Sequence, residues 1–220
     1  MNLVISICNP KVTDTLTDII NKLSLPIGTV FHGRGTAVKS MLDILGIETT
    51  EKHVVLTVAD REKTKELIKL QKEQLFIGVP GHGIIVSLPI KSVGGGKTLA
   101  FLNGNKPEAK YTPELNFSYE LIVAIANTGR TDLVMNAARN AGAPGGTVIH
   151  GKGTGNSAEK FYNVSIADEK EVILIVAKSS QKSDIMRAIL ENAGPSSPAG
   201  TICFSLPTSE VAGFGMNTAE

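Results

Sequence analysis

The segment GTVFHGRGT, Gly28 to Thr36, returns as GTVIHGKGT at Gly146 to Thr154, a shift of 118 residues with no gap. The same shift carries Leu3 onto Leu121, Asn9 onto Asn127, Thr13-Asp14 onto Thr131-Asp132 and Pro26 onto Pro144. It continues through Glu51-Lys52 onto Glu169-Lys170, Val58-Ala59 onto Val176-Ala177, and Ser87-Leu88-Pro89 onto Ser205-Leu206-Pro207. Self-similarity over most of a chain constrains the fold more than any single motif, because each copy must form the same structural unit. The 220 residues therefore read as a repeat at 1–98, a linker at 99–118 and a second repeat at 119–220. The sequence around the linker is rich in Gly, Asn, Pro and Lys, as connecting segments are.

Within each copy the hydrophobic periodicity predicts β-α-β, a loop, and β-α-β. NLVISIC and YELIVAIA are short runs rich in β-formers, followed by helices from about Thr13 to Leu23 and Thr131 to Ala141. Thr13 and Thr131 are read as N-caps, with Asp14 and Asp132 favouring the positive end of each helix. GTVFHG and GTVIHG give second strands, KHVVLTVA and EVILIVA third strands. EKTKELIKLQKEQ and QKSDIMRAILENA give second helices, and GIIVSLP and GTICFSLP fourth strands. Two such units in series with right-handed crossovers predict an α+β chain of two tandem ferredoxin-like βαββαβ sandwiches. Strands such as Val54 to Val58 and Ile173 to Val176 are apolar on both sides, although helices would cover one side only. The second face should then meet another sheet, from the other repeat or from another chain, so an oligomer is expected.

Composition closes several function classes. Lys and Arg number 22 against 21 Asp and Glu, a net charge of +1, which leaves no basic field to hold a nucleic-acid backbone. MNLVISICNPKVTD has no basic leader and too short an apolar run for a signal peptide or membrane span, so a cytoplasmic protein is expected. Cys8 and Cys203 are too far apart for a metal spacing, and both read as buried, reduced thiols.

No G-x-S-x-G, H-E-x-x-H or C-x-x-C is present, and no enzyme is expected. VGGGKT at Val93 to Thr98 ends like a phosphate-binding P-loop, but the first glycine of that motif would fall on Lys91, and no helical stripe follows. The duplicated H-G-[RK]-G-T is more informative. Glycines flanking a basic residue at a strand end let backbone N–H groups approach an anion, although a tight bend into a long loop needs the same residues. Gly33, Arg34, Gly35 and Thr36 in the first copy, and Gly151, Lys152, Gly153 and Thr154 in the second, are the candidates this motif supplies. VPGHGI adds Gly81, His82 and Gly83 from a second Gly-rich turn. His32 and His150 occupy equivalent places and could serve as ligands or bases, while structural histidines are commoner there. The loop AVKSMLDILGIETTEK carries an apolar turn or short helix closed by Gly46, and its counterpart GNSAEKFYNVSIADEK is more polar.

These features together resemble the PII nitrogen-regulatory protein family and its divergent PII-like relatives. His32-Gly33-Arg34-Gly35 stands where the family has R-G-x-G before its T-loop, and TVADR at Thr57 to Arg61 resembles V-V-A-D-D. Gly81-His82-Gly83-Ile84 followed by IVSLPI looks like the B-loop G-D-G-K and the strand after it. The family binds ATP or ADP at subunit clefts, often with 2-oxoglutarate, and engages transporters or enzymes through the T-loop. Several of its contacts are replaced here: Ala37 and Gly155 stand for the glutamine that meets magnesium and 2-oxoglutarate, and Ile84 and Ile202 for the B-loop lysine. Lys97 falls eight residues after the Leu-Pro proline, where the family has the second of two phosphate-contacting arginines.

The resemblance thus implies a regulatory protein with no bound cofactor of its own and no metal, whose effector is a small anion, ATP or ADP first. Its partner would be a transporter or a cytosolic enzyme, and its assembly a homo-oligomer built on trimers. The alternative is a divalent-metal-binding or structural trimer resembling the CutA family, with His32, His82 and His150 as ligands.

Overall fold

Alternating apolar residues build the strands, and 3.6-residue apolar stripes build the helices that cover them. The computed structural model describes residues 1–25, 28–36, 51–79, 81–90, 115–152, 160–161, 164–165 and 169–213. Among these, the first half contains β1 (Asn2–Cys8), a 3-10 turn (Pro10–Val12), α1 (Thr13–Lys22), β2 (Gly28–Gly35), β3 (Glu51–Ala59), α2 (Arg61–Gln74) and β4 (Gly83–Pro89). The second half contains β5 (Asn116–Asn127), α3 (Thr131–Asn140), β6 (Thr147–Lys152), β7 (Lys160–Phe161), β8 (Val164–Ser165), β9 (Glu169–Lys178), α4 (Ser179–Ala193), β10 (Ile202–Thr208) and β11 (Glu210–Gly213). Under the 118-residue shift, α1 and α3 coincide residue for residue.

The chain divides into two compact units, and the division does not follow the linker. Unit 1 comprises Met1–Phe31, Glu51–Tyr119 and Pro207–Glu220; unit 2 comprises His32–Thr50 and Glu120–Leu206. The end of β2 is therefore counted with the second half, and the C-terminal segment with the first. In unit 1 the strands run β2-β3-β1-β4-β11, with β1 antiparallel to both β3 and β4. In unit 2 they run β10-β5-β9-β6-β2, with β6 antiparallel to β9 and to the end of β2. Without the added strands, both orders are those of a βαββαβ unit whose first and third strands are central. The result is a mixed α/β fold on antiparallel sheet. β7 and β8 form a separate two-stranded ladder inside the loop GNSAEKFYNVSIADEK. The apolar loop of the first copy, the linker to residue 114, and Lys97, Gly153 and Thr154 lie outside the described residues.

Each unit has its own core. In unit 1, Val4 and Cys8 of β1, Val55 and Ala59 of β3, and Ile85 of β4 pack against Leu16, Ile19 and Ile20 of α1 and Leu67 and Ile68 of α2. In unit 2, Ile122, Ala124 and Ala126 with Ile173, Ile175 and Ala177 meet Val134, Met135 and Ala138 of α3 and Ile185 and Ile189 of α4. At about 25 cal/mol per Å², fully burying side chains of this size stabilises by roughly 1.5–3 kcal/mol each. The opposite strand faces are also apolar, as the sequence predicts. Ile5, Ile7, Val54 and Val86 are buried in the single chain, whereas Ile202 and Phe204 on β10 are 53% and 44% exposed.

Two helix starts differ from the prediction. Thr13 and Thr131 are not N-caps; each is the first helical residue, after Val12 and Arg130, and neither of those makes a side-chain cap bond. The threonine hydroxyls are taken by residues of a neighbouring strand, described below. Asp60 does cap α2, its carboxylate accepting from Lys63 N–H at 2.8 Å.

Candidate functional site

The duplicated H-G-[RK]-G-T motif lies on strand rather than in an open bend. β2 continues through Arg34 to Gly35, and Gly33, Arg34 and Gly35 stand opposite Ile149, Val148 and Thr147 of β6. The two copies of the motif are thereby brought onto adjacent antiparallel strands of unit 2. Arg34 is exposed, and Gly33 and Gly35 are half-buried. Thr36 ends the strand firmly. Its N–H donates to Gly146 O at 2.9 Å, its hydroxyl donates to the same oxygen at 2.8 Å, and Gly146 N–H reaches the hydroxyl at 2.9 Å. The Arg139 guanidinium of α3 donates to Thr36 O. A Cβ on Gly146 would stand 3.1 Å from both Leu174 O and Met135 Sδ, a tight contact that asks those neighbours to give by a few tenths of an ångström. On β6, Gly151 is exposed opposite Lys170, and Lys152 stands opposite Glu169.

The PGHG turn belongs to unit 1 and is built by local sterics. Gly81 has φ +82° and Gly83 φ +137°, in the region that favours glycine. A Cβ on Gly83 would meet Ile7 O at 2.2 Å, so this glycine serves the close approach of β4 to β1. His82 is exposed but held: its N–H donates to Val79 O at 3.2 Å, its Nδ1 donates to Leu75 O at 3.3 Å, and its ring meets Phe76 edge-on. Lys52 Nζ donates to Gly81 O at 3.2 Å. Of the predicted residues, Gly33 to Thr36 and Gly151-Lys152 lie on or at the end of the neighbouring strands β2 and β6 in unit 2, with Arg34 opposite Val148, four positions along β6 from Lys152, and Gly81 to Gly83 sit in unit 1.

A polar cluster that sequence reasoning missed stands at the start of α3. Glu171 of β9 is only 4% exposed, and its Oε2 accepts from Thr131 N–H at 3.1 Å and from the Thr131 hydroxyl at 2.6 Å. His150, directly opposite Glu171 on β6, places Nδ1 at 3.8 Å from its Oε1. Burial pushes the Glu171 carboxyl up, but hydrogen bonds from the Thr131 hydroxyl and the Gly129 and Thr131 N–H groups, with the His150 charge, hold it below its ordinary value. At the equivalent place in unit 1, His53 Nδ1 is hydrogen-bonded to the Thr13 hydroxyl at 2.8 Å. The partners are 40 residues apart in both copies, so no local spacing signals them.

Cys8 is fully buried, and burial pushes its thiol up against the opposing effects of Thr13 and Lys52. Half-buried Cys203 is shifted the same way by burial, and both cysteines are free. Raised thiols of this kind are poor nucleophiles. Among the described residues, no three His, Cys, Asp or Glu side chains are grouped to hold a metal ion, and no helix is long and apolar enough to cross a membrane. Among the described residues, His150 comes close to Glu171 but joins no group of three such ligands.

Comparison with known proteins gives a similarity over the second half of the chain. No curated protein matches the chain. A solved structure, Arabidopsis thaliana PII bound to citrate, is similar at 25% sequence identity over 42% of this chain and 78% of that one, with a TM-score of 0.34. The family model for nitrogen regulatory protein P-II matches residues 119–214, which span α3, α4 and strands β6 to β11 together with most of β5. Residues 119–214 are thus similar to the nitrogen regulatory protein P-II family.

Proposed function

We propose that the protein is a PII-like regulator that binds a small anionic effector, an adenine nucleotide first, and controls a partner through its loops. The family match over residues 119–214 is the observation that carries this reading. Its extension to the first half rests on the 118-residue repeat and on helices that begin at the same repeat position in both halves, Thr13 and Thr131. We read the chain as a tandem duplication of one PII-like domain, assembling as homo-oligomers on a trimeric plan in the cytoplasm.

The effector's phosphates would be neutralised by Arg34 and Lys152, with Lys97 as a third cation. Gly33, Gly35 and Gly151, all in unit 2, would allow close approach to the backbone. Arg34 is suited to this task because it is exposed while the backbone that carries it is fixed in a ladder. A charged side chain on a rigid element binds an anion with little ordering cost. Binding would bias the loop that follows each motif, and the loop would bias the partner, a transporter or enzyme of nitrogen metabolism or transport. Calorimetric titration with ATP and ADP tests the reading: heat of binding that falls about tenfold in affinity in Arg34→Ala supports it. Heat with divalent metals and none with nucleotides would overturn it.

A further inference from the structure

In unit 1, two polar pairs join β1 to α2. Asn2 Nδ2 donates to Thr64 Oγ1 at 3.3 Å, and Gln71 Nε2 donates to Ser6 Oγ at 3.0 Å. All four side chains are buried. The 118-residue shift carries Asn2 and Thr64 onto Glu120 and Lys182, and Ser6 and Gln71 onto Ala124 and Ile189. In unit 2 the first of these pairs is an ion pair between β5 and α4, with Lys182 Nζ donating to Glu120 Oε1 at 2.9 Å. The second is apolar, and both Ala124 and Ile189 lie in the buried core. One hydrogen bond is thus replaced by an ion pair and the other by aliphatic side chains, and each time both members of the pair differ.

The matched differences stand out because the two units are otherwise alike. α1 and α3 coincide under the shift, and both cores are largely aliphatic. A chain that holds two copies of one unit can dock a helix on the wrong copy's sheet, a characteristic failure of repeat proteins. Here such an exchange leaves polar groups stranded. α2 on the sheet of unit 2 would set the Gln71 amide against Ala124 and leave the Glu120 carboxylate without its ammonium. α4 on the sheet of unit 1 would set Ile189 against the Ser6 hydroxyl and leave Lys182 without its carboxylate. A buried polar group left without a partner bears its full desolvation penalty, which no apolar contact returns. The polar pairs are also poorly suited to stability alone. Among the described residues, Asn2 Oδ1 and Gln71 Oε1 meet no donor, whereas an apolar pair such as Ala124 and Ile189 leaves nothing unsatisfied.

We propose that positions 2, 6, 64 and 71 of unit 1, with 120, 124, 182 and 189 of unit 2, form two matched sets that decide which helix docks on which sheet. They keep α2 and α4 from exchanging places while the chain folds. A mismatch disfavours the wrong arrangement instead of adding to the right one, which is how specificity between near-identical partners is obtained.

Hydrogen exchange of the full chain, read on peptides from β1 and α2, tests the pairing. Ser6→Ala should lower protection there at least about tenfold, and adding Gln71→Ile should restore it to within about threefold of wild type or above. Unchanged protection in the single variant, or no recovery in the double one, would overturn the proposal. The discrimination is tested by giving unit 1 the whole set of unit 2, as Asn2→Glu, Ser6→Ala, Thr64→Lys and Gln71→Ile together. This variant should keep protection in β1 and α2 while refolding from urea with a slow or aggregating fraction at least about threefold larger than in wild type. Loss of protection would show that the sets are not interchangeable units, and refolding like wild type would show that they do not discriminate; either result would overturn the proposal.

Discussion

Replacing Glu171 tests the account of how α3 is anchored. The carboxylate is almost fully buried and accepts two bonds from Thr131, at 2.6 and 3.1 Å. Loss of a helix-capping acceptor costs about 0.5–2 kcal/mol, and a hydrogen bond to a charged group contributes about 1.5–3 kcal/mol. Part of that is offset because alanine no longer requires a buried charge, so Glu171→Ala should lose about 2 kcal/mol at pH 7. Glu171→Gln keeps a carbonyl acceptor and should lose about 1 kcal/mol. The carboxyl is held below its ordinary value in the folded chain, so its contribution is present above the unfolded value near 4.5 and is lost as pH falls through the folded one. Urea denaturation followed by circular dichroism from pH 7 to pH 3 should show a gap between wild type and Glu171→Gln that is constant down to about pH 5 and then closes. A gap below about 0.5 kcal/mol at pH 7 for Glu171→Ala, or one that does not narrow in acid, would refute the reasoning.

Other substitutions probe the site's scaffold. Gly83→Ala places a Cβ against Ile7 O in an unfavourable backbone conformation and should cost about 3 kcal/mol or more, read as a lower thermal midpoint; an unchanged midpoint would contradict the steric reading of that turn. Thr36→Val removes a hydroxyl that both donates to and accepts from Gly146, and should destabilise by about 1–3 kcal/mol in the same denaturation assay. Arg34→Ala, at an exposed position, should leave stability within about 0.5 kcal/mol of wild type while weakening nucleotide binding; equal loss of both would assign Arg34 to the fold alone.

Much of the strand and helix order is legible because it rests on local periodicity. NLVISIC, KHVVLTVA and GIIVSLP become β1, β3 and β4 nearly residue for residue, and GTVFHGRGT shows where β2 starts. What was not legible involves distant partners. Thr13 and Thr131 look like ordinary caps, and only the folded sheet brings His53 or Glu171 to their hydroxyls. The end of β2 has the alternation of any strand, and nothing in it shows that Gly33 to Gly35 would pair with β6. Glu210 to Gly213 is too short and too poor in apolar residues to announce a strand, yet the bare edge of β4 recruits it. The candidate residues divide along the same line. Gly83 is held by local geometry that a Gly-rich turn signals, whereas the several bonds on Thr36 come from Gly146 and Arg139, more than 100 residues away in sequence.

The central claim is that this chain senses an anionic nucleotide through its glycine-flanked basic residues. Calorimetric titration of the full chain with ATP, repeated with Arg34→Ala, tests it most directly. The account predicts saturable heat of binding in the wild type and an affinity about tenfold weaker in the variant at unchanged folding stability. No heat with ATP or ADP, or an affinity that Arg34→Ala leaves untouched, would contradict it.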